Sequence, residues 1–198
     1  MVHFHTIKRG AHRGLVKYRT IVADPPWPYE EGFATQSRGR TWVGEVTHDK
    51  PLPYTAMSLF DIAGLPMAEL AEEDCRLFLW TTNRYLPQAI PLAEFWGFEY
   101  RQLLVWHKRD GNLGGSVAPN SAEFVVVATK GSPTRISKMP SSVISTAAPK
   151  RHSTKPECFL DYVEQVSPGP YVELFARRHR LGWDVWGNES ANTAELAV

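Results

Sequence analysis

The chain has 198 residues, 43% hydrophobic and 22% charged, with a formal net charge of +1. That length fits a single domain with a sizeable core, and the balance of apolar and charged residues excludes a disordered or fibrous chain. No apolar run reaches the length of a membrane span, and Met1 to Arg9 has no apolar signal core, so a cytoplasmic protein without membrane contact is expected.

Residues 1–17 read as a flexible basic arm, and Tyr18 to Ala23 as the first strand. Residues 28–60 show little periodicity and are rich in Gly, Thr, Pro and aromatics. A loop of that length is uncommon unless it works, which suggests a substrate lid. Tyr29, Phe33, Trp42 and Tyr54 in it suit stacking on bases, or else a satellite core. Leu65 to Ala71 reads as a helix start with Pro66 in its first turn, and Arg76 to Thr82 as a strand. Tyr85 to Trp96 has a helical pattern, with Pro91 marking a kink or the true start, and Gly97 ends it. Tyr100 to His107 and Glu123 to Thr129 read as strands, joined by a Gly/Asn loop and expected to be antiparallel neighbours.

Residues 132–154 are loop-like, with a short strand at Val143 to Thr146. A helix is expected from near Pro156 to Val166, broken by Ser167-Pro168-Gly169-Pro170. Tyr171 to Phe175 and Trp183 to Trp186 complete the strands, and a disordered tail is expected over 191–198. Strands alternating with helices predict an α/β fold with a mostly parallel sheet in one domain, residues 1–198.

Cys75 and Cys158 stand far apart and read as reduced thiols. His3 and His5 have no third ligand nearby, so no metal site is expected. Asn188-Glu189-Ser190 matches a glycosylation sequon and reads as a chance match. The basic residues are segregated. Lys8, Arg9, Arg13, Lys17 and Arg19 form one stretch, and Lys130, Arg135, Lys138, Lys150, Arg151 and Lys155 a second. Arg177, Arg178 and Arg180 form a third. Such segregation suits contact with nucleic-acid phosphates, against the plainer reading of solvated faces.

The most informative stretch is Asp24-Pro25-Pro26-Trp27, directly after the first strand. Ligands bind at the carboxyl ends of strands in open α/β sheets. The prolines end the strand, stiffen the loop and hold Asp24 extended. A carboxylate and a proline carbonyl can accept the two N–H hydrogens of a weakly nucleophilic aromatic amine such as that of adenine. The flat ring of Trp27, or of Tyr29, can stack on the base. The plain alternative is a surface turn.

No G-x-G-x-x-G fingerprint is present in the right context. The C-terminal third instead carries His152-Ser153-Thr154-Lys155-Pro156, then Glu173-Leu174-Phe175-Ala176-Arg177, then Gly187-Asn188-Glu189. With Asp24-Pro25-Pro26-Trp27 and the Leu65 to Trp80 segment, the chain resembles the adenine-N6 methyltransferase family. That family includes the catalytic subunit of the eukaryotic mRNA methyltransferase and many bacterial and phage enzymes. The resemblance runs from Tyr18 to Glu189.

It implies a class I, Rossmann-like methyltransferase fold with a twisted sheet and helices on both faces, and S-adenosylmethionine as methyl donor. It makes Asp24, Pro25, Pro26 and Trp27 the catalytic segment. Lys155 is implied to pair with the donor's carboxylate, and Glu173 to line its pocket. Arg177, His179 and Glu189 are implied to contact its ribose or amino-acid part, and Asn188 to hydrogen-bond it. Tyr29, Trp42 and Lys108 are the substrate-side candidates. Arg180 and Glu189 depart from some relatives, which carry an amide and a glutamine there. The expected substrate is adenine in DNA, with RNA as the alternative and a silent nucleic-acid-binding partner as the rival. A homodimer or a partner subunit are the open assemblies.

Overall fold

The structure is a computed structural model and describes residues 16–28, 56–109, 117–147, 154–187, 191–194 and 196. Seven strands form one sheet: β1 (Tyr18–Ala23), β2 (Ala71–Thr81), β3 (Glu99–Lys108), β4 (Ala122–Lys130), β5 (Val143–Thr146), β6 (Tyr171–Leu174) and β7 (Trp183–Trp186). Their order across the sheet is β5-β3-β4-β2-β1-β6-β7. Every pairing is parallel except those of β4, which runs antiparallel between β3 and β2. The carboxyl ends of all the other strands therefore share one edge with the start of β4.

Four helices are described: α1 (Leu59–Ala63), α2 (Met67–Leu70), α3 (Leu86–Phe95) and α4 (Cys158–Val166). The central strands are apolar on both faces, as a covered parallel sheet requires. Ile21, Ala23, Leu77 and Leu79 pack with Ala89, Leu92 and Ala93 of α3 and with Ile62, Met67 and Leu70 of α1 and α2. Val22, Phe78 and Trp80 point the other way, against Phe159, Leu160 and Val163 of α4. Helices on both faces of a mostly parallel sheet make the Rossmann-like α/β fold.

Several expectations shift. The strand expected from Arg76 begins at Ala71, and the preceding helix shrinks to four residues. The register jumps from Tyr18↔Ala71 to Thr20↔Arg76, so the acidic segment 72–74 is extended rather than helical. Helix α1 begins at Leu59, where the segment 28–60 ends, and periodicity missed it. Its signal was Ser58-x-x-Asp61: the Ser58 hydroxyl accepts from the Asp61 N–H, and the Asp61 carboxylate accepts back from Ser58. Pro91 lies inside α3. Residues 191–194, expected to be a loose tail, dock on β7. Thr193 and Ala194 donate backbone hydrogen bonds to the Val185 carbonyl, and Ala194 is buried. The arm 1–15 lies outside the described residues. No helix among the described residues is long and apolar enough to cross a membrane.

Candidate active site

Asp24 is the first residue past β1, at the shared carboxyl edge, and its N–H donates to the Leu174 carbonyl of β6. The next three residues are locked from several sides. The Trp27 indole is 3% exposed, donates from Nε1 to the Trp80 carbonyl at 3.1 Å, and stacks on Tyr85 at 5.3 Å and 12°. The Tyr85 hydroxyl donates to the Pro28 carbonyl. Met57 N–H donates to the Pro26 carbonyl at 2.9 Å.

Two parts of the sequence reading change here. Trp27 is a buried wall of the site, so its ring has no free face for a base. The Pro25 carbonyl, read as an acceptor for the amine, already accepts the Trp27 N–H at 2.8 Å. A carbonyl oxygen has two lone pairs, so Pro25 keeps one acceptor position. Tyr29 and Trp42 lie outside the described residues, as do Asn188 and Glu189.

Lys155 meets Asp24 directly, as neither motif alone foretold. Its Nζ is 2.7 Å from Asp24 Oδ2 and 3.3 Å from Glu123 Oε2, and lies 5.3 Å from the centre of the Trp80 ring. The second Glu123 oxygen is bonded to Lys108, whose ammonium lies 4.7 Å from the centre of the Trp106 ring. A buried row of alternating charge results: Lys108, Glu123, Lys155, Asp24. Lys108, expected to meet substrate, is 8% exposed and already paired. Its ammonium is turned to the Glu123 carboxylate. Sequence reading missed Glu123, because a lone acid at the start of a strand gives no signal until β4 inverts and brings it to this edge.

Burial raises Asp24 above the usual carboxylate range. Lys155 opposes that strongly, Glu123 reinforces it, and Arg177 opposes it. Burial also acts against Glu123, but Lys155 and Lys108 together hold it below the ordinary range. Burial disfavours the Lys155 ammonium, yet Asp24 and Glu123 outweigh it and keep the lysine charged. Lys155 thus serves two anions, and at Asp24 burial outweighs what the lysine gives.

Glu173 sits one position short of the end of β6, paired in register with Val22. Its Oε2 is buried with no hydrogen-bond partner in the structure. Burial first and the nearby Asp24 carboxylate second push it up to about 7, against Arg178, Arg180 and Lys155. An orphaned buried acceptor on the floor of a strand-end site is suited to ligand hydroxyls. The donor set therefore fits S-adenosylmethionine. Glu173 Oε2 would accept from a ribose hydroxyl, and Lys155 and Arg177 are the cations that act on the neighbouring Asp24.

The rest of the arginine cluster is committed elsewhere. Arg178 bonds Glu157, and Arg180 bonds Glu164 at 2.8 Å and Asp161 at 2.7 Å on α4. Arg180 thus braces α4 instead of facing the donor. His179 is exposed. The second basic stretch splits as well. Lys130 ends β4 at the far edge, and Ile136 and Ser137 bond the last turn of α4 there, so Arg135 and Lys138 are remote from Asp24.

Comparison with known proteins adds an independent line. The model of the family described as MT-A70 matches residues 18–189. The type II methyltransferase M.MunI of Mycoplasma sp. is 32% identical, over 87% of this chain and 78% of its own length. An N(6)-adenosine-methyltransferase MT-A70-like protein of Drosophila melanogaster is 27% identical over 88% of this chain, and the human N(6)-adenosine-methyltransferase catalytic subunit METTL3 is 26% identical over 88%. The chain spans 27% and 28% of those two proteins.

Proposed function

Since this chain belongs to the MT-A70 family, we propose that it methylates the N6 amino group of adenine in DNA with S-adenosylmethionine as donor. The observation that carries the reading is Asp24, a partly buried carboxylate on a loop stiffened by Pro25, Pro26 and the buried Trp27, beside the orphaned acceptor of Glu173.

Bound S-adenosylmethionine would supply an electrophilic methyl group on a positively charged sulfur. Glu173 would accept from its ribose, and Lys155 and Arg177 would face its carboxylate, with Lys155 keeping one N–H beyond the two it gives to Asp24 and Glu123. The target adenine is unpaired or flipped out of its duplex. Asp24 accepts one N6 hydrogen, and the remaining lone pair of the Pro25 carbonyl accepts the other. Both contacts turn the amine lone pair outward and favour positive charge on N6. As the new N–C bond forms, the methyl–sulfur bond would break and leave a neutral thioether, and N6 becomes cationic and gives up a proton to water, with no strong base needed. Catalysis is then chiefly positioning and electrostatics.

Reading the substrate as DNA goes with the bacterial type II relative, most of whose length this chain spans. The alternative, RNA, goes with the N(6)-adenosine relatives. Mass spectrometry of nucleosides from DNA and RNA incubated with the purified protein tests both. N6-methyl-deoxyadenosine that forms with wild type and not with Asp24→Ala is the expected result. N6-methyladenosine in RNA alone would move the substrate to RNA. No methylated adenine in either would end the reading.

A further inference from the structure

We propose that Lys108 and Glu123 are positioning residues: by holding Lys155 between two carboxylates they set the pH below which Asp24 can no longer accept the substrate amine. The proposal rests on the reading of Asp24 as the acceptor of that amine. It adds two residues that the motifs do not contain.

The geometry is a chain of contacts, each drawing on the next. Glu123 binds Lys108 through one oxygen and Lys155 through the other, at 3.3 Å. Lys155 lies closer to Asp24, at 2.7 Å. All four side chains are at least four-fifths buried, so water screens their charges only partly. The ammonium groups of the two lysines lie over Trp106 and Trp80, which meet edge to face at 5.8 Å. The indoles hold the ammonium groups at fixed places, and a change at one end of the row is therefore felt at the other as charge.

The groups that act on Asp24 come from four elements: Lys155 before α4, Glu123 on β4, Glu173 on β6 and Arg177 just after it. Arg178 and Arg180 act on Glu173, and Lys108 acts on Glu123. Removing the Glu123 charge leaves Lys155 to Asp24 alone, which favours the carboxylate. Removing the Lys108 charge leaves Glu123 to draw more on Lys155, which disfavours it. Loss of packing would move stability in both variants but would not move Asp24 in opposite directions.

The test is a carbon-13 NMR titration of the full chain labelled at aspartate carboxyl carbons, with the Asp24 signal assigned by its absence in Asp24→Asn. Glu123→Gln is expected to lower the Asp24 midpoint by about one pH unit, and Lys108→Met to raise it by about as much. The acid limb of turnover should follow in the same two directions. Midpoints that stay put or move together overturn the proposal. If Glu123→Gln does not fold, Lys108→Met decides alone: its midpoint must rise, and an unchanged or lowered value overturns the proposal. Wild-type turnover in Asp24→Asn would instead sink the reading of Asp24 as acceptor, while the titrations still decide the role of Lys108 and Glu123.

Discussion

Asp24 and Glu173 are neighbouring carboxylates on paired strands, yet their surroundings differ in kind. Asp24 stands on a loop held by Trp27, Tyr85 and Met57, and its charge is answered by Lys155. Glu173 is packed into a strand floor with one oxygen answered by nothing in the structure. The half of the site that would do chemistry is paired and stiff before any ligand arrives. The half that would bind a donor carries an unmet polar demand. Pre-organisation suits a group that must stabilise developing charge, whereas an unsatisfied acceptor is a source of binding energy when a hydroxyl fills it.

The sharpest way to break that contrast is at Asp24. Asp24→Ala should abolish methyl transfer while donor affinity by calorimetry stays near wild type. Asp24→Asn keeps one acceptor and loses the charge, so turnover should fall by about 10²–10³-fold, by analogy with lost oxyanion-hole contacts. Wild-type turnover in a folded Asp24→Ala protein would refute the mechanism.

Next in size is Lys155. Lys155→Ala leaves Asp24 and Glu123 facing each other without their shared cation, and breaking a buried pair costs about 3–5 kcal/mol. Denaturant unfolding at neutral pH should show that loss, reduced at acid pH where Asp24 takes up a proton, and donor affinity should fall with it. Undiminished stability and affinity would mean that Lys155 is not the common partner.

Glu173 tests the other half. In the unfolded chain this carboxyl ionises around 4.5, and in the folded protein only around 7. The folded state holds the proton longer, so this group's contribution to stability declines as pH rises from 4.5 to 7, and its full cost is present above 7. Glu173→Gln removes that cost. At pH 8 the variant should melt above wild type, by about 2–4 °C for each 1 kcal/mol of that cost regained. Hydrogen bonds from ribose hydroxyls favour the charged form, so wild-type donor affinity should rise from pH 5 to 8 and the variant's should be weaker and flat. A variant that binds the donor as wild type does would remove Glu173 from the pocket.

The smallest effect is expected at Tyr85. Tyr85→Phe keeps the ring stacked on Trp27 and deletes the hydroxyl that donates to Pro28. A loss of about 1 kcal/mol in stability is expected, with turnover down a few-fold and donor affinity unchanged. If turnover is unaffected, the loop is held by Trp27 and Met57 without the tyrosine.

Much of the fold was open to reading along the chain, because it rests on local signals. The apolar run into two prolines ends β1 at Asp24, a helical pattern from Tyr85 and the closing Gly97 bracket α3, and Lys155-Pro156 opens the segment into α4. Motif order pointed to the donor side, where Glu173 does lie next to Asp24. Other parts were not legible for the same reason: they depend on partners distant in sequence. Charge clustering pointed Arg178 and Arg180 outward, but Glu157 just before α4 claims the first, and Asp161 and Glu164 on α4 claim the second. A proline carbonyl reads as an acceptor for the amine, yet Trp27 and Met57 already donate to those of Pro25 and Pro26.

The sequence by itself determined the strands and the helices α3 and α4 in their order, and the stiff loop carrying Asp24, since each follows from backbone restriction or periodicity. Only the tertiary structure decided that Trp27 is wall and not platform, and that Glu123 and Lys108 belong with Asp24. The physical reason is the reversed strand β4. Its antiparallel run between β3 and β2 carries Glu123 to the site edge and Lys130 to the far one. Burial then makes the charges that meet there depend on one another, which no single stretch of sequence encodes.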